Sequence, residues 1–374
     1  MSKSPSNVHA SNNGSNNGAY TISEILTQPL CWTTSLGDLQ TSGLLTKLKD
    51  NFQGAQEWLF IGCGSSFYIA QAAAFSWTEI TGVRARAFPA SELILFPENA
   101  LAARKTYVPV LISRSGRTSE VLRVAEQLKK RGIKTLGISC TPGQPLESLV
   151  SEMLLLPAAD EQSTVMTRSF STMLLALQAL AATIAGQAEF LQHLKQLTPP
   201  VEKLLSSLPA RVNDFVNLHD FEDYVCLGQG PLYGIACEVA LKLTEMSVSY
   251  GQVFHTLEFR HGPKSIVSPQ TLITFLLSER GYLAEVEAME EIKKLGGTTL
   301  AITNQAEERA KAAADFLVEL ALDGPEISRV APYVITGQLL GLYTGLKKGH
   351  DPDHPRNLSR VVILEEESPE RAAL

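Results

Sequence analysis

Apolar residues along this chain fall into short uninterrupted runs, separated by longer stretches in which they recur at helical spacing. The runs Trp58–Ile61, Val108–Ile112, Thr135–Ile138, Met153–Leu156, Tyr224–Leu227, Leu272–Leu277, Thr299–Ile302 and Phe316–Leu320 predict strands, and helical patterns lie between most of them. Such alternation implies parallel sheets covered by helices on both faces. The segment from Glu189 to Arg211 contains "LTPPVEKLLSSLPA", whose prolines and broken pattern predict a connection between two domains. The expected organisation is a polar head (1–18), an N-terminal helical segment (19–45), a first domain (46–190), a helical connection (191–212), a second domain (213–350) and a C-terminal tail (351–374) closing over the site.

The two halves repeat one another. "WLFIGCGSSFYIAQAAA" at 58–74 has its counterpart in "YVCLGQGPLYGIACEVA" at 224–240, each a strand, a G-x-G turn and a helix. "VPVLISRSGRTSEV" then matches "LITFLLSERGYLAEV", and "QLKKRGIKTLGIS" matches "EIKKLGGTTLAIT", at similar intervals. The fold class predicted is α/β, with two similar doubly wound parallel-sheet domains in tandem. Ligands in such folds sit beyond the carboxyl ends of the strands.

Two turns of the first half fall there. In "ISRSGRTSE" (112–120) the hydroxyls of Ser113, Ser115, Thr118 and Ser119 surround a strand-to-helix bend in which Gly116 allows close backbone approach. The free N–H groups and positive dipole end of the following helix favour an anion, although one such stretch could equally be an ordinary Ser/Thr helix cap. "GCGSS" brings Gly64, Ser65 and Ser66 to a second turn, and "EQSTVMTRSFST" (161–172), with Thr164 and Thr167, supplies a third hydroxyl-rich stretch before a long helix. Three convergent turns suit a compact phosphomonoester. Neither "GCGSSF" nor "GQGPLY" has the third glycine of a dinucleotide fingerprint, so a nucleotide cofactor is not expected.

The second half offers different chemistry. Glu238, Lys242 and Glu245 recur at i, i+4 and i+7 in "CEVALKLTEMS", on one helical face. That spacing is also that of a surface salt-bridge ladder, but the flanking Val239, Ala240, Leu241 and Leu243 have the composition of a largely buried helix. His261 follows in "FHTLEFRHGPKS", just before a Gly-Pro break.

Composition narrows the partners. A length of 374 residues and a hydrophobic fraction of 44% predict a soluble two-domain protein. A formal net charge of −7 argues against nucleic acid as the main partner. The head "SNVHASNNGSNNG" lacks the apolar core of a signal peptide and is expected to be disordered, and the longest apolar run, around Met173 to Ile184, fits a buried helix better than a membrane span. Cys31, Cys63, Cys140, Cys226 and Cys237 lack metal-ligand spacing and read as reduced thiols, so a cytoplasmic location is expected.

Taken in order, "GCGSS", "ISRSGRTSE", "EQSTVMTRSF", "EVALKLTEMS", "LEFRHGP" and "DPDHPRNLSR" resemble the tandem sugar isomerase (SIS) family, over roughly residues 20 to 365. The resemblance is to the isomerase part of glucosamine-6-phosphate synthase and to stand-alone aminosugar-phosphate deaminases and ketose isomerases. It implies flavodoxin-like SIS domains and a phosphorylated sugar as substrate. The phosphate would be held by Ser65, Ser66, Ser113, Ser115 and Thr118, with Gly64, Arg114, Gly116, Thr164, Thr167 and Arg360 as further substrate-binding residues. Glu245 would move a proton between C1 and C2, with Glu238 and Lys242 binding sugar hydroxyls and orienting that base. His261, from the neighbouring subunit of a homodimer, would open the sugar ring. No metal and no organic cofactor is implied.

This chain departs from the synthase pattern at three places. No nucleophilic cysteine follows Met1, so glutamine is not expected to be the ammonia source. Arg114 and Arg117 stand where the synthase loop has a Gln and a Glu, which adds two positive charges. Arg360 replaces a lysine and cannot form a Schiff base. The function expected is an aldose–ketose isomerase that deaminates an aminosugar phosphate to ketose phosphate and ammonia. The alternatives are a plain ketose/aldose phosphate isomerase, a fructosamine-phosphate deglycase, a glutaminase-less synthase-like protein, or a non-catalytic sugar-phosphate sensor.

Overall fold

The computed structural model describes residues 17–101 and 106–364. The polar head expected at 1–18 lies almost wholly outside the described residues, as does the end of the tail beyond 364. Three helices open the fold: α1 (Ala19–Leu26), α2 (Gln28–Thr41) and α3 (Leu44–Asn51). The first α/β unit runs β1 (Glu57–Gly62), α4 (Ser65–Thr81), β2 (Ala85–Pro89), α5 (Ala90–Leu95), α6 (Pro97–Ala100), β3 (Tyr107–Ile112), α7 (Ser119–Lys130), β4 (Leu136–Ser139), α8 (Pro145–Leu149), β5 (Glu152–Leu155) and α9 (Arg168–Ala185). Helices α10 (Ala188–Gln196), α11 (Thr198–Leu205) and α12 (Leu208–Leu218) form the connection. The second unit runs β6 (Asp223–Gly228), α13 (Pro231–Ser247), β7 (Gly251–His255), β8 (Thr271–Leu276), α14 (Tyr282–Lys294), β9 (Thr298–Thr303), α15 (Glu308–Ala313), β10 (Phe316–Glu319) and α16 (Val334–Lys347).

The repeat read from the sequence is a repeat of topology. The sheets are ordered β2-β1-β3-β4-β5 and β7-β6-β8-β9-β10, with every pairing parallel. It extends to single torsions: Gly64 (φ 54°, ψ −128°) and Gly230 (φ 54°, ψ −127°) open α4 and α13 with the same backbone conformation, one that side-chain-bearing residues rarely adopt. The first glycine of each G-x-G is needed for a different reason. A Cβ on Gly62 would lie 2.5 Å from the Ser66 carbonyl carbon, so the strand end and the helix start can touch only there.

Eight of the ten strands coincide with the apolar runs; β2 and β7 do not. Both are edge strands whose residues are half-buried or exposed, so "ARAFP" and "GQVFH" carry no continuous apolar run to announce them. The prolines that interrupt the connection stand in the first turns of α11 and α12, where a missing N–H costs nothing. The apolar helix α9 is the one described helix long and apolar enough to cross a membrane, and 78% of it is buried in the core.

Two close helix contacts place the catalytic candidates. Gly234 of α13 meets α4 so tightly that a Cβ would come within 2.8 Å of Ala72 N and 2.9 Å of Tyr68 O. One turn further along α13, Glu238 meets Ser65 at the start of α4, so the two helices run antiparallel across the junction of the two halves. On the other side, Gly337, Gly341 and Gly345 of α16 face α13; a Cβ on Gly341 would lie 2.8 Å from the Lys242 carbonyl oxygen. Gly341→Ala is expected to push α16 off α13, at a cost of roughly 1–3 kcal/mol from overpacking. Urea unfolding of the variant measures it.

Candidate active site

The site is built at the carboxyl ends of β1 and β3 and along α13. Ser65, buried at the first position of α4, donates its hydroxyl to Glu238 Oε1 at 3.0 Å. Lys242 Nζ lies 3.2 Å from Glu238 Oε1, donates to Ser65 Oγ at 3.3 Å, and also pairs with Glu245. Glu238 and Lys242 are fully buried, while the Glu245 side chain keeps 18% of its surface accessible. The helical spacing thus forms a triad, with a serine from the other half of the chain inserted into it.

One ammonium here faces two carboxylates. Burial pushes the Glu238 carboxyl up to about 8, with Lys242 pulling the other way and Glu245 adding to the rise. Burial works to lower the Lys242 ammonium, but the two glutamates together hold it above the ordinary lysine value. Around neutral pH the cluster therefore keeps a cationic Lys242 beside a Glu238 that binds a proton readily. Its Oε2 is buried and has no hydrogen-bond partner among the described residues.

This gives a pH prediction. A carboxyl raised from 4.5 towards 8 holds a proton in the folded state that the unfolded chain has lost, so its stabilising contribution is complete below about pH 4.5 and is lost as pH rises through 8. Glu238→Gln, which keeps the shape of the neutral acid, is expected to flatten this decline. Urea midpoints at pH 5, 7 and 9 for both proteins check it.

The hydroxyl-rich turns come together as their sequence positions imply. Ser113, Arg114, Ser115 and Gly116 are buried, and Ser113 Oγ lies 3.0 Å from Thr118 Oγ1. Ser115 Oγ accepts the Arg117 N–H at 3.2 Å, while the Arg117 side chain is exposed. Gly116 has φ 62° and its Cβ position is occupied, 2.8 Å from Gln144 Cβ, so the bend requires glycine on both counts. Gly64 is exposed and Ser66 buried at the adjoining turn.

Other candidates hold the protein's own groups. The buried Arg114 guanidinium donates to Glu161 Oε2 (3.0 Å), Val165 O (3.0 Å), Thr164 O (2.8 Å) and Arg360 O (3.1 Å). Thr167 donates its N–H (2.6 Å) and hydroxyl (2.9 Å) to Glu161 Oε1. Arg360 pairs with Asp160, and its carbonyl is one of the Arg114 acceptors. The Thr164 N–H donates to Asp353 O at 3.1 Å. Asp353 in turn accepts from Thr21 N and Thr21 Oγ1, both at 2.7 Å, which ties the tail to α1. Residues 360–364 then cross the start of α7, where Ser119 N donates to Val362 O (3.3 Å) and Leu364 N to Ser119 Oγ (2.9 Å).

His261 stands apart from this cluster. It follows β7 on an exposed turn, and its ring makes no hydrogen bond or ion pair among the described residues. Sequence reasoning missed Glu161 as a centre in its own right, although it lies inside "EQSTVMTRSF". It also missed Tyr68, a half-buried phenol one turn into α4 that burial raises, with Cys237, Glu238 and Glu245 adding to the rise. Among the described residues no three His, Cys, Asp or Glu side chains are grouped to hold a metal ion.

Two such parallel five-stranded sheets flanked by helices define a double sugar-isomerase-type α/β protein. The SIS domain family model matches residues 52–183 and 218–340, and the chain belongs to this family. Curated relatives include the glutamine–fructose-6-phosphate aminotransferase (isomerizing) of Shewanella oneidensis, 28% identical over 92% of this chain and 59% of its own. That of Caldanaerobacter subterraneus subsp. tengcongensis is 24% identical over 85% and 53%. The chain thus spans little more than half the length of these relatives. Among solved structures, glucosamine-6-phosphate deaminase from Thermotoga maritima is 28% identical with a TM-score of 0.76, covering 92% of this chain and all of that one. Tagatose-6-phosphate ketose/aldose isomerase from Escherichia coli, at 23% identity and a TM-score of 0.81 over 94% of this chain and 98% of its own, shares the fold.

Proposed function

We propose that this chain is a sugar-phosphate aldose–ketose isomerase of the SIS family, acting as a deaminase on an aminosugar phosphate. The observation that carries the reading is the hydrogen bond from Ser65 to Glu238. It joins an anion-favouring turn of one half to the Glu238–Lys242–Glu245 triad of the other. The 28% identity to a glucosamine-6-phosphate deaminase over its whole length supports the aminosugar class.

In this reading the phosphate lies on the turns at 64–66 and 113–118, and the chain's N–H and hydroxyl donors hold it. Glu245, the accessible carboxylate of the triad, removes the C2 proton of the open-chain 2-amino aldose and delivers a proton to C1. The electron pair left by the C2–H bond makes a C1–C2 double bond as the C1 oxygen takes up a proton, and then makes the C1–H bond as the amino nitrogen gives up a proton, so C1 is reduced to an alcohol while C2 is oxidised to an imine. Water adds to the imine carbon and ammonia leaves, giving the ketose phosphate. Lys242 holds Glu245 in place, and Glu238, fully buried behind it, anchors Lys242. His261 has no ring partner among the described residues, which favours its use at the site of a second copy in a homodimer, where it would open the ring.

The test is ammonia release from glucosamine-6-phosphate and from galactosamine-6-phosphate without added glutamine. Release from one of them, lost in Glu245→Gln, supports the deaminase and assigns its stereochemistry. Ketose formation without ammonia would instead indicate a plain isomerase, and tight binding without turnover a deglycase or a sensor.

A further inference from the structure

The repeat allows the two halves to be compared residue by residue at the turn that follows β3 in one and β8 in the other. Ile61 pairs with Leu111 as Leu227 pairs with Phe275, and Ile112 pairs with Ile138 as Leu276 pairs with Ile302. The register continues one residue further: the Ser113 N–H donates to Ile138 O at 3.1 Å and the Leu277 N–H to Ile302 O at 2.9 Å. Arg114 and Ser115 therefore correspond to Ser278 and Glu279.

Their main-chain N–H groups have different fates. Those of Arg114 and Ser115 donate to no acceptor among the described residues. At the corresponding positions of the second half, the Ser278 N–H donates to Glu285 Oε2 at 2.6 Å and the Glu279 N–H to Glu326 Oε1, also at 2.6 Å. Ser278 Oγ adds a third bond, to Glu285 Oε1 at 2.9 Å. Glu285 belongs to the first turn of α14, is fully buried, and has no cation within ion-pair distance among the described residues. Burying a carboxylate this way is costly unless N–H and hydroxyl donors compensate it. A carboxylate held by turn donors at a helix start has the surroundings such a turn offers to a phosphate.

We propose that the carboxyl groups of Glu285 and Glu326 fill the second half's copy of the phosphate cradle, so that each chain accepts a single phosphate, in the first half. The inference rests on the phosphate assignment made above. It also marks where that phosphate sits in the first half, with its oxygens on the N–H groups of Arg114 and Ser115.

Calorimetric titration of the full chain with inorganic phosphate, and separately with glucosamine-6-phosphate, tests it. The wild type is expected to bind one equivalent per chain, and Glu285→Ala combined with Glu326→Ala to bind two equivalents of inorganic phosphate. Two equivalents in the wild type, or no gain in a folded double variant, would overturn the proposal. A wild type that binds none would remove the phosphate assignment in the first half, while a rise from none to one in the variant would still support the plug. If the double variant does not fold, Glu326→Ala alone, which frees the Glu279 N–H on an exposed turn, is expected to gain a weaker second equivalent, and its failure to do so counts against the proposal.

Discussion

Glu245→Gln is expected to abolish ammonia release from the aminosugar phosphate while leaving its binding within a few-fold of the wild type. The loss should be roughly 10²–10⁴-fold in kcat, the usual contribution of a positioned general base. The split follows from geometry. Glu245 is the one triad carboxylate with substantial access to solvent, whereas the donors assigned to the phosphate lie on the turns at 64–66 and 113–118. Glutamine retains the length and an acceptor oxygen for Lys242, so the buried pair of Lys242 with Glu238 survives the change. Single-turnover ammonia release, together with calorimetric binding of the sugar phosphate, measures both sides. Equal losses in binding and turnover would mean that Glu245 holds substrate rather than moving its proton.

Most of the topology was legible because its signal is local. Strands buried on both faces read as apolar runs, and the G-x-G turns repeat where the chain must bend identically twice. Edge strands β2 and β7 were not legible, since half-exposed residues carry neither an apolar run nor a clean alternation. The helical spacing of Glu238, Lys242 and Glu245 was visible, but not that Ser65 would enter their cluster. That contact joins residues 173 positions apart and depends on Gly234 letting α13 lie against α4.

Arg114 is the sharper example. Read in its motif it is a positive charge beside a phosphate turn, whereas its four acceptors come from segments 47 to 246 residues away. No periodicity within "ISRSGRTSE" could name them. The same limit applies to the second half, where "LLSERGYLAE" resembles a weakened copy of the phosphate turn. Only the hydrogen bonds of Ser278 and Glu279 reveal what fills it.

Arg114→Ala should lower stability by about 3–5 kcal/mol, the cost of leaving a buried carboxylate without its cation. Glu161 would keep its donors from Thr167 and Ser169, at 2.5 to 3.0 Å, but these neutralise no charge. Arg114→Lys should recover only part of the loss, because one ammonium cannot reproduce a planar fork reaching a carboxylate and three carbonyls. The functional effect should fall on KM more than on kcat. Arg114 belongs to the turn proposed to hold the phosphate and ties it to residues 161–165 and to the tail at Arg360, whereas the α13 triad has its own bonds and is untouched. Faster amide exchange at the Ser119 and Leu364 N–H groups, where the tail crosses α7, would accompany the change, since Arg114 is one of the tail's anchors there. Denaturant midpoints, steady-state kinetics and hydrogen exchange on the alanine and lysine variants measure the three effects. An alanine variant as stable as the wild type, with unchanged KM and unchanged tail exchange, would show that the clasp holds nothing that folding or binding requires.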